Sequence, residues 1–212
     1  MSISALKDIF DLTLVREIAA ALLVADASFD ADAFVARSMA GLNRLELTGR
    51  AAHIAAALHD CLPEQFSEAA AVIEASLGPE LPVTGEIGRA ALRYMPHVLF
   101  VQKYGIDDFE SAIRIQAELT KRFTAEFSIR AFLVKYPDRT YEQILVWADD
   151  DNAHLRRLAS EGTRPRLPWA PRLRAFQKDP RPVLELLERL RDDPVLYVCL
   201  LYTSDAADDT PC

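Results

Sequence analysis

Glycine, cysteine and long uncharged apolar runs are all scarce in this chain, and each scarcity excludes something. Seven glycines in 212 residues, with few alternating β-branched stretches, leave no material for a turn-rich sheet. No apolar run reaches the roughly 18 residues that a membrane span requires. The opening stretch, "MSISALKDIFDLTLVREIAAALL", has acids among its apolar residues and no small-residue cleavage site, so it is not expected to act as a secretory leader. The expectation is a cytoplasmic protein. Cys61, Cys199 and Cys212 are too few and too far apart for a disulfide framework or a zinc site. His53, His59, His97 and His154 form no HxxxH pair, so no metal is expected. There is no GxGxxG, P-loop or GxSxG, which removes dinucleotide, nucleotide-phosphate and serine-hydrolase chemistry.

What is present is half apolar and about a quarter charged, as in a folded globular chain with a substantial core. The net charge of −8 argues against nucleic acid, but the charge is uneven. Residues 1–110 carry 8 basic and 16 acidic side chains, whereas residues 111–198 carry 16 basic and 13 acidic. The basic half also holds the unusual motifs.

Apolar residues recur at helical spacing nearly throughout. Helices are expected over 12–25, from Asp30 or Asp32 to about Leu42, and over 50–62 and 63–78. A loop follows at 79–88, then helices over 89–104, 107–118, 120–136, 139–149, 152–162 and 182–191. Asp107, Thr120, Asp138 and Asn152 are the expected N-caps. The stretch "CLLYTSDAADDTPC" (199–212) breaks the pattern, with neither helical period nor cap. One back-translation of it resembles a transposase adapter, so a non-native tail is expected, the alternative being a disordered acidic tail. The natural protein is then expected to continue beyond Val198, with residues 1–198 as one incomplete domain.

Two short echoes run through the basic half. "KRFTAE" (121–126) matches "RRLASE" (156–161), 35 residues apart, and "DDNAHLRR" (150–157) is echoed by "DDPVLYV" (192–198), 42 residues on. Repeats of this length in an all-α chain indicate an α-solenoid of HEAT-like or armadillo type, built from stacked antiparallel helix pairs. In the first echo a glutamate follows an arginine by four residues, Arg122 to Glu126 and Arg157 to Glu161, so each pair should meet on one helix face. Arg130 extends that stripe. The adjacent guanidinium is expected to keep each carboxylate ionised, which suits stabilising a cation or orienting a water and does not suit a general acid. The alternative is an ordinary surface ion pair, worth about 0–1 kcal/mol.

Lys121, Arg122, Arg156 and Arg157 are placed in first helical turns, where unpaired N–H groups and bases together make an anion site. "TRPRLPW" adds Arg164 and Arg166 on a segment stiffened by Pro165 and Pro168, ending in Trp169. Such bases position a duplex without reading its sequence. Trp169 is either core or a group beside a sugar or base; Trp147, in "ILVWA", is core.

The stretch from "LTKRFTAEF" through "SEGTRPRLPWAPRL" (119–173) resembles the DNA alkylation repair glycosylases built from HEAT-like repeats, in particular the AlkC-type branch. The likeness extends less distinctively over most of 1–198. It implies hydrolysis of the N-glycosidic bond of cationic bases, of the 3-methyladenine or 3-methylcytosine type, in double-stranded DNA. The enzyme would act as a bacterial monomer, associated with the nucleoid when on DNA, without a cofactor. Glu126 and Glu161 match the active-site glutamates and Trp169 the active-site aromatic, with the flanking arginines holding DNA. The family pattern continues after "YV" with a further carboxylate, so the 212-residue chain is expected to be weakly active or inactive. A catalytically idle DNA-binding solenoid and a protein–protein scaffold remain alternatives.

Overall fold

The computed structural model describes residues 6–82, 88–167 and 170–199. The described residues contain helices and no strand. The chain divides into two compact units, residues 1–81 with 86–123, and residues 82–85 with 124–212.

The first unit opens with a 3-10 turn at Leu6–Ile9, followed by α1 (Leu12–Ala25) and α2 (Ala31–Met39). A second 3-10 turn at Leu42–Arg44 leads to α3 (Leu47–Cys61), α4 (Phe66–Ser76), the short α5 (Arg89–Leu92), α6 (Met95–Tyr104) and α7 (Phe109–Thr120). The helices pack in two rows, α1–α4–α7 and α2–α3–α6, joined by α1 on α2 and α6 on α7. This is the stacked-pair logic of a solenoid: no helix pair covers its own apolar face, and the next pair does so. Leu14, Ile18, Leu22, Ile54, Leu58 and Ile73 are fully enclosed between the rows.

Caps set where these helices begin. Asp11 accepts from Leu14 N at 2.7 Å, Asp30 from Ala33 N at 2.9 Å and Asp108 from Ser111 N at 3.2 Å, each satisfying an otherwise orphaned donor. The cap of α7 is thus Asp108 and not the expected Asp107. Thr120 caps nothing, being the last residue of α7. Asp138 lies in the first turn of the helix it was expected to cap, because Pro137 supplies the N1 position.

The second unit comprises α8 (Glu126–Lys135), α9 (Pro137–Ala148), α10 (Ala153–Gly162), α11 (Arg174–Lys178) and α12 (Arg181–Leu190), then a helical turn at 196–199. α8 packs on α9 and α10, and α12 packs on α9 and α10. Tyr141 of α9 donates to Pro182 O at 2.8 Å, tying α9 to the start of α12. Ile129, Phe132, Ile144, Leu158 and Leu186 form the enclosed contacts. The fold is an all-α solenoid of helix pairs, as the periodicity implies. Trp147 is buried in it.

Only one echo corresponds to a structural repeat. Asn152 caps α10 by accepting from His154 N at 2.9 Å, and Asp193 accepts from Val195 N at 2.8 Å just ahead of the helical turn at 196–199. The 42-residue echo therefore falls at two successive helix starts. The 35-residue echo does not: Glu126 is the first residue of α8, and Glu161 lies in the last turn of α10.

Candidate active site

The expected helix over 120–136 is interrupted. α7 ends at Thr120, with Lys121 as its C-cap, and α8 starts at Glu126. Lys121 and Arg122 therefore sit at a helix C-terminus, where the dipole favours bases, and not in the first turn expected for an anion site. Lys121 Nζ lies 2.8 Å from Glu118 Oε1 and 3.7 Å from Glu80. Arg122 Nη1 contacts Glu118 Oε2 at 3.0 Å, and its Nε donates to Gly78 O. The expected pairing of Arg122 with Glu126 is replaced by this one. Burial works to raise the Glu118 carboxyl, but hydrogen bonds from Lys121 and Arg122 prevail and hold it below the usual range.

Glu126 opens α8, and its backbone N–H donates to Thr124 Oγ1 at 3.2 Å. An acid in a first turn is favoured by the helix dipole. Burial nonetheless dominates its side chain and raises its pKa, against the opposing influence of Arg157, Thr124, Arg164 and Arg130. Burial outweighs the neighbouring bases in setting the direction of this shift.

α10 supplies the complementary charge. Arg157 Nη1 lies 2.6 Å from Glu161 Oε1, the expected pair one turn apart. Arg164 Nη1 reaches the other oxygen of Glu161 at 3.4 Å. Glu161 is only 7 % exposed and sits in a last turn, where an acid is disfavoured; two guanidinia offset that cost. Arg156 points elsewhere. It forms an ion pair with Asp193 at 2.6 Å and donates to the carbonyls of Asp150 and Asp151 at 2.8 and 3.0 Å. It fastens the start of α10 to the next helical start.

Arg130 is also otherwise engaged. It is 2 % exposed and makes four hydrogen bonds to backbone carbonyls: two to Pro171 O, one to Arg164 O at 2.7 Å and one to Gly162 O at 3.3 Å. Burial pulls its pKa down to about 10. Its fork clamps both ends of the "TRPRLPW" segment, so it is a buried fastener and not part of a surface stripe. Arg166 is exposed. Trp169 and Pro168 lie outside the described residues.

Glu126, Glu161, Arg157 and Arg164 thus form one electrostatic cluster at the α8 start and α10 end, with Arg130 holding the adjoining loop. The sequence reading missed one member. The Tyr197 ring lies under the Arg157 guanidinium at 5.1 Å and edge-on to His154 at 5.8 Å, within electrostatic reach of Glu126. The 42-residue echo carried that signal, since it places "LYV" beside the start of α10. No group of His, Cys, Asp and Glu able to hold a metal occurs among the described residues, and no described helix is long and apolar enough to cross a membrane. An apolar cavity of about 530 Å³ lies elsewhere, lined by Leu133, Tyr141, Leu173, Phe176 and Pro182, and contains neither glutamate.

Comparison with known proteins gives the cluster a context. No family model matches the chain. It is 35% identical over 154 residues to the uncharacterized protein YhaZ of Bacillus subtilis (strain 168), covering 73% of this chain and 41% of YhaZ. Its fold matches Pseudomonas fluorescens alkylpurine DNA glycosylase AlkC, solved bound to DNA containing an abasic site analog. The TM-score is 0.87 at 32% identity, over 99% of this chain and 57% of AlkC. The chain thus spans well under two thirds of either relative.

Proposed function

Since this chain is similar in fold and sequence to AlkC, we propose that it is a DNA glycosylase that hydrolyses the N-glycosidic bond of alkylated bases in duplex DNA. The observation that carries the reading is the gathering of Glu126 and Glu161 around Arg157 and Arg164. A base made cationic by alkylation already departs as a neutral molecule, so the enzyme need not supply an acid. The remaining barrier is the positive charge that develops on the sugar, together with placement of the attacking water.

The two carboxylates divide that work. Glu161, held by two guanidinia, is fixed in place as an electrostatic group. Glu126 is less completely neutralised and faces the reacting sugar. It orients the water and takes its proton as the C1′–O bond forms and the C1′–N bond breaks. Desolvation strengthens its interaction with the oxocarbenium-like sugar. Bases of the 3-methyladenine or 3-methylcytosine type fit this scheme because both are cationic.

Arg157, Arg164 and Arg166 are the proposed phosphate contacts, and Trp169 the proposed aromatic beside the lesion. Lys121, Arg122, Arg130 and Arg156 are held by groups other than the two glutamates, so the proposal does not depend on them. The test is release of base from methylated duplex under single-turnover conditions with protein in excess. Release is expected from the parent and should fall about 10²–10³-fold in Glu126→Gln, in line with loss of one transition-state electrostatic contact. Equal release by the parent and both Glu→Gln variants would reduce the chain to a DNA-binding solenoid.

A further inference from the structure

We propose that Tyr197 is a positioning residue for this site, holding the Arg157 guanidinium on its ring face and so keeping that cation from neutralising Glu126. The inference rests on the glycosylase reading above. Arg157 stands between two anions: Glu161 at 2.6 Å, and Glu126 within electrostatic reach. An arginine with its own rotamer freedom would settle between both carboxylates. A site whose negative charge is cancelled in this way has nothing left to offer a cationic sugar.

The geometry supplies a third, competing seat. The guanidinium centre is 5.1 Å from the Tyr197 ring centroid, within the range of a cation–π contact. Arg157 Nε is buried without a hydrogen-bond acceptor, a costly state that the negative ring face offsets. The ring is itself fixed. His154 meets it edge-on at 5.8 Å, and Tyr197 belongs to the helical turn that follows directly on the Val195 N–H to Asp193 hydrogen bond. Asp193 in turn is held by Arg156 at 2.6 Å. The chain of support runs from Arg156 through Asp193 to Tyr197 and on to Arg157, which gives the paired arginines of α10 distinct tasks. One fixes the platform and the other rests on it.

The experiment compares affinity for two duplexes. One carries a cationic pyrrolidine in place of the reacting sugar, which imitates the developing charge. The other carries a neutral tetrahydrofuran of the same shape. The parent is expected to prefer the cationic duplex. Tyr197→Phe, which keeps the ring, should retain the preference, and Tyr197→Leu should lose about tenfold of it. Side-chain NMR of the arginines gives an independent readout, in which an upfield-shifted Arg157 Nε–H signal persists in the Phe variant and disappears in the Leu variant. If the parent shows no preference between the duplexes, the glycosylase reading fails and this inference falls with it. If the parent prefers the cationic duplex and Tyr197→Leu does so equally, the inference alone is overturned.

Discussion

Burial and charge compete at single residues here, and pH separates them. The Glu126 carboxyl has a folded pKa raised above its ordinary 4.5. Its contribution to stability is therefore complete below the unfolded value and is lost as pH rises through the folded value. Once ionised, the group is a cost. Glu126→Gln should match or exceed the parent in Tm at pH 7, with the advantage shrinking toward pH 4 as activity stays low throughout. A variant several degrees less stable at pH 7 would refute the assignment. His97 behaves oppositely. Burial lowers it from 6.5 to about 4, so its stabilisation is present above the unfolded value and is lost as pH falls toward 4. The shift corresponds to roughly 3 kcal/mol. Denaturant titrations of the parent and His97→Gln at pH 7 and 4 should show a smaller acid loss in the variant. Arg130 offers the starkest contrast with its sequence. Four carbonyl contacts from one buried fork cannot be replaced by an ammonium. Arg130→Lys should cost about 2–4 kcal/mol and impair base release, although the net charge is unchanged.

At the level of helices, one contact sets the spacing on which the charge cluster depends. A Cβ on Gly162 would lie 2.8 Å from Ile129 Cγ2, and Ile129 is fully enclosed. The glycine lets the last turn of α10 close onto α8. Gly162→Ala should cost about 1–3 kcal/mol by overpacking, measured by chemical denaturation. It should also reduce activity more than stability alone explains, since Glu161 is the neighbouring residue. Adding Ile129→Ala should recover part of the loss. Much of this scale was legible in the sequence. The apolar period placed α1, α7, α9, α10 and α12 within a few residues, and Asp30 and Asn152 announced their helices. The loop at 121–125 was not legible, because "KRFTAEF" satisfies a helical pattern equally well when continued or broken. One available rule was overlooked there. A glutamate four residues before a base is the better oriented pair, and Glu118 stands in that position relative to Arg122. Arg157 and Glu161 have the less favoured order and meet all the same, supported by Arg164 from the following loop. Nothing in a single sequence reveals that Arg130 faces inward, since burial of an arginine depends on carbonyls contributed 32 to 41 residues away.

For the whole molecule, the question is how a chain of net charge −8 would hold a polyanion. The basic excess lies in residues 111–198, yet much of it is already engaged: Lys121 and Arg122 on Glu118, Arg156 on Asp193, Arg130 on carbonyls. Counting bases therefore overstates the charge available to DNA. Arg157 and Arg164 share their charge with Glu161, whereas Arg166 is exposed, so the electrostatic part of the affinity should be modest. Each phosphate neutralised contributes close to one unit to the slope of log K against log salt. Arg166 is exposed and should carry one such contact, so Arg166→Ala is expected to weaken binding uniformly across sequences and flatten that slope by about 1. Arg156→Ala should leave the slope unchanged while lowering Tm, because its charge is spent on Asp193. Fluorescence anisotropy with one duplex over a salt series checks both. The reverse outcome, a slope that responds to Arg156 and ignores Arg166, would move the DNA to a different face of the second unit.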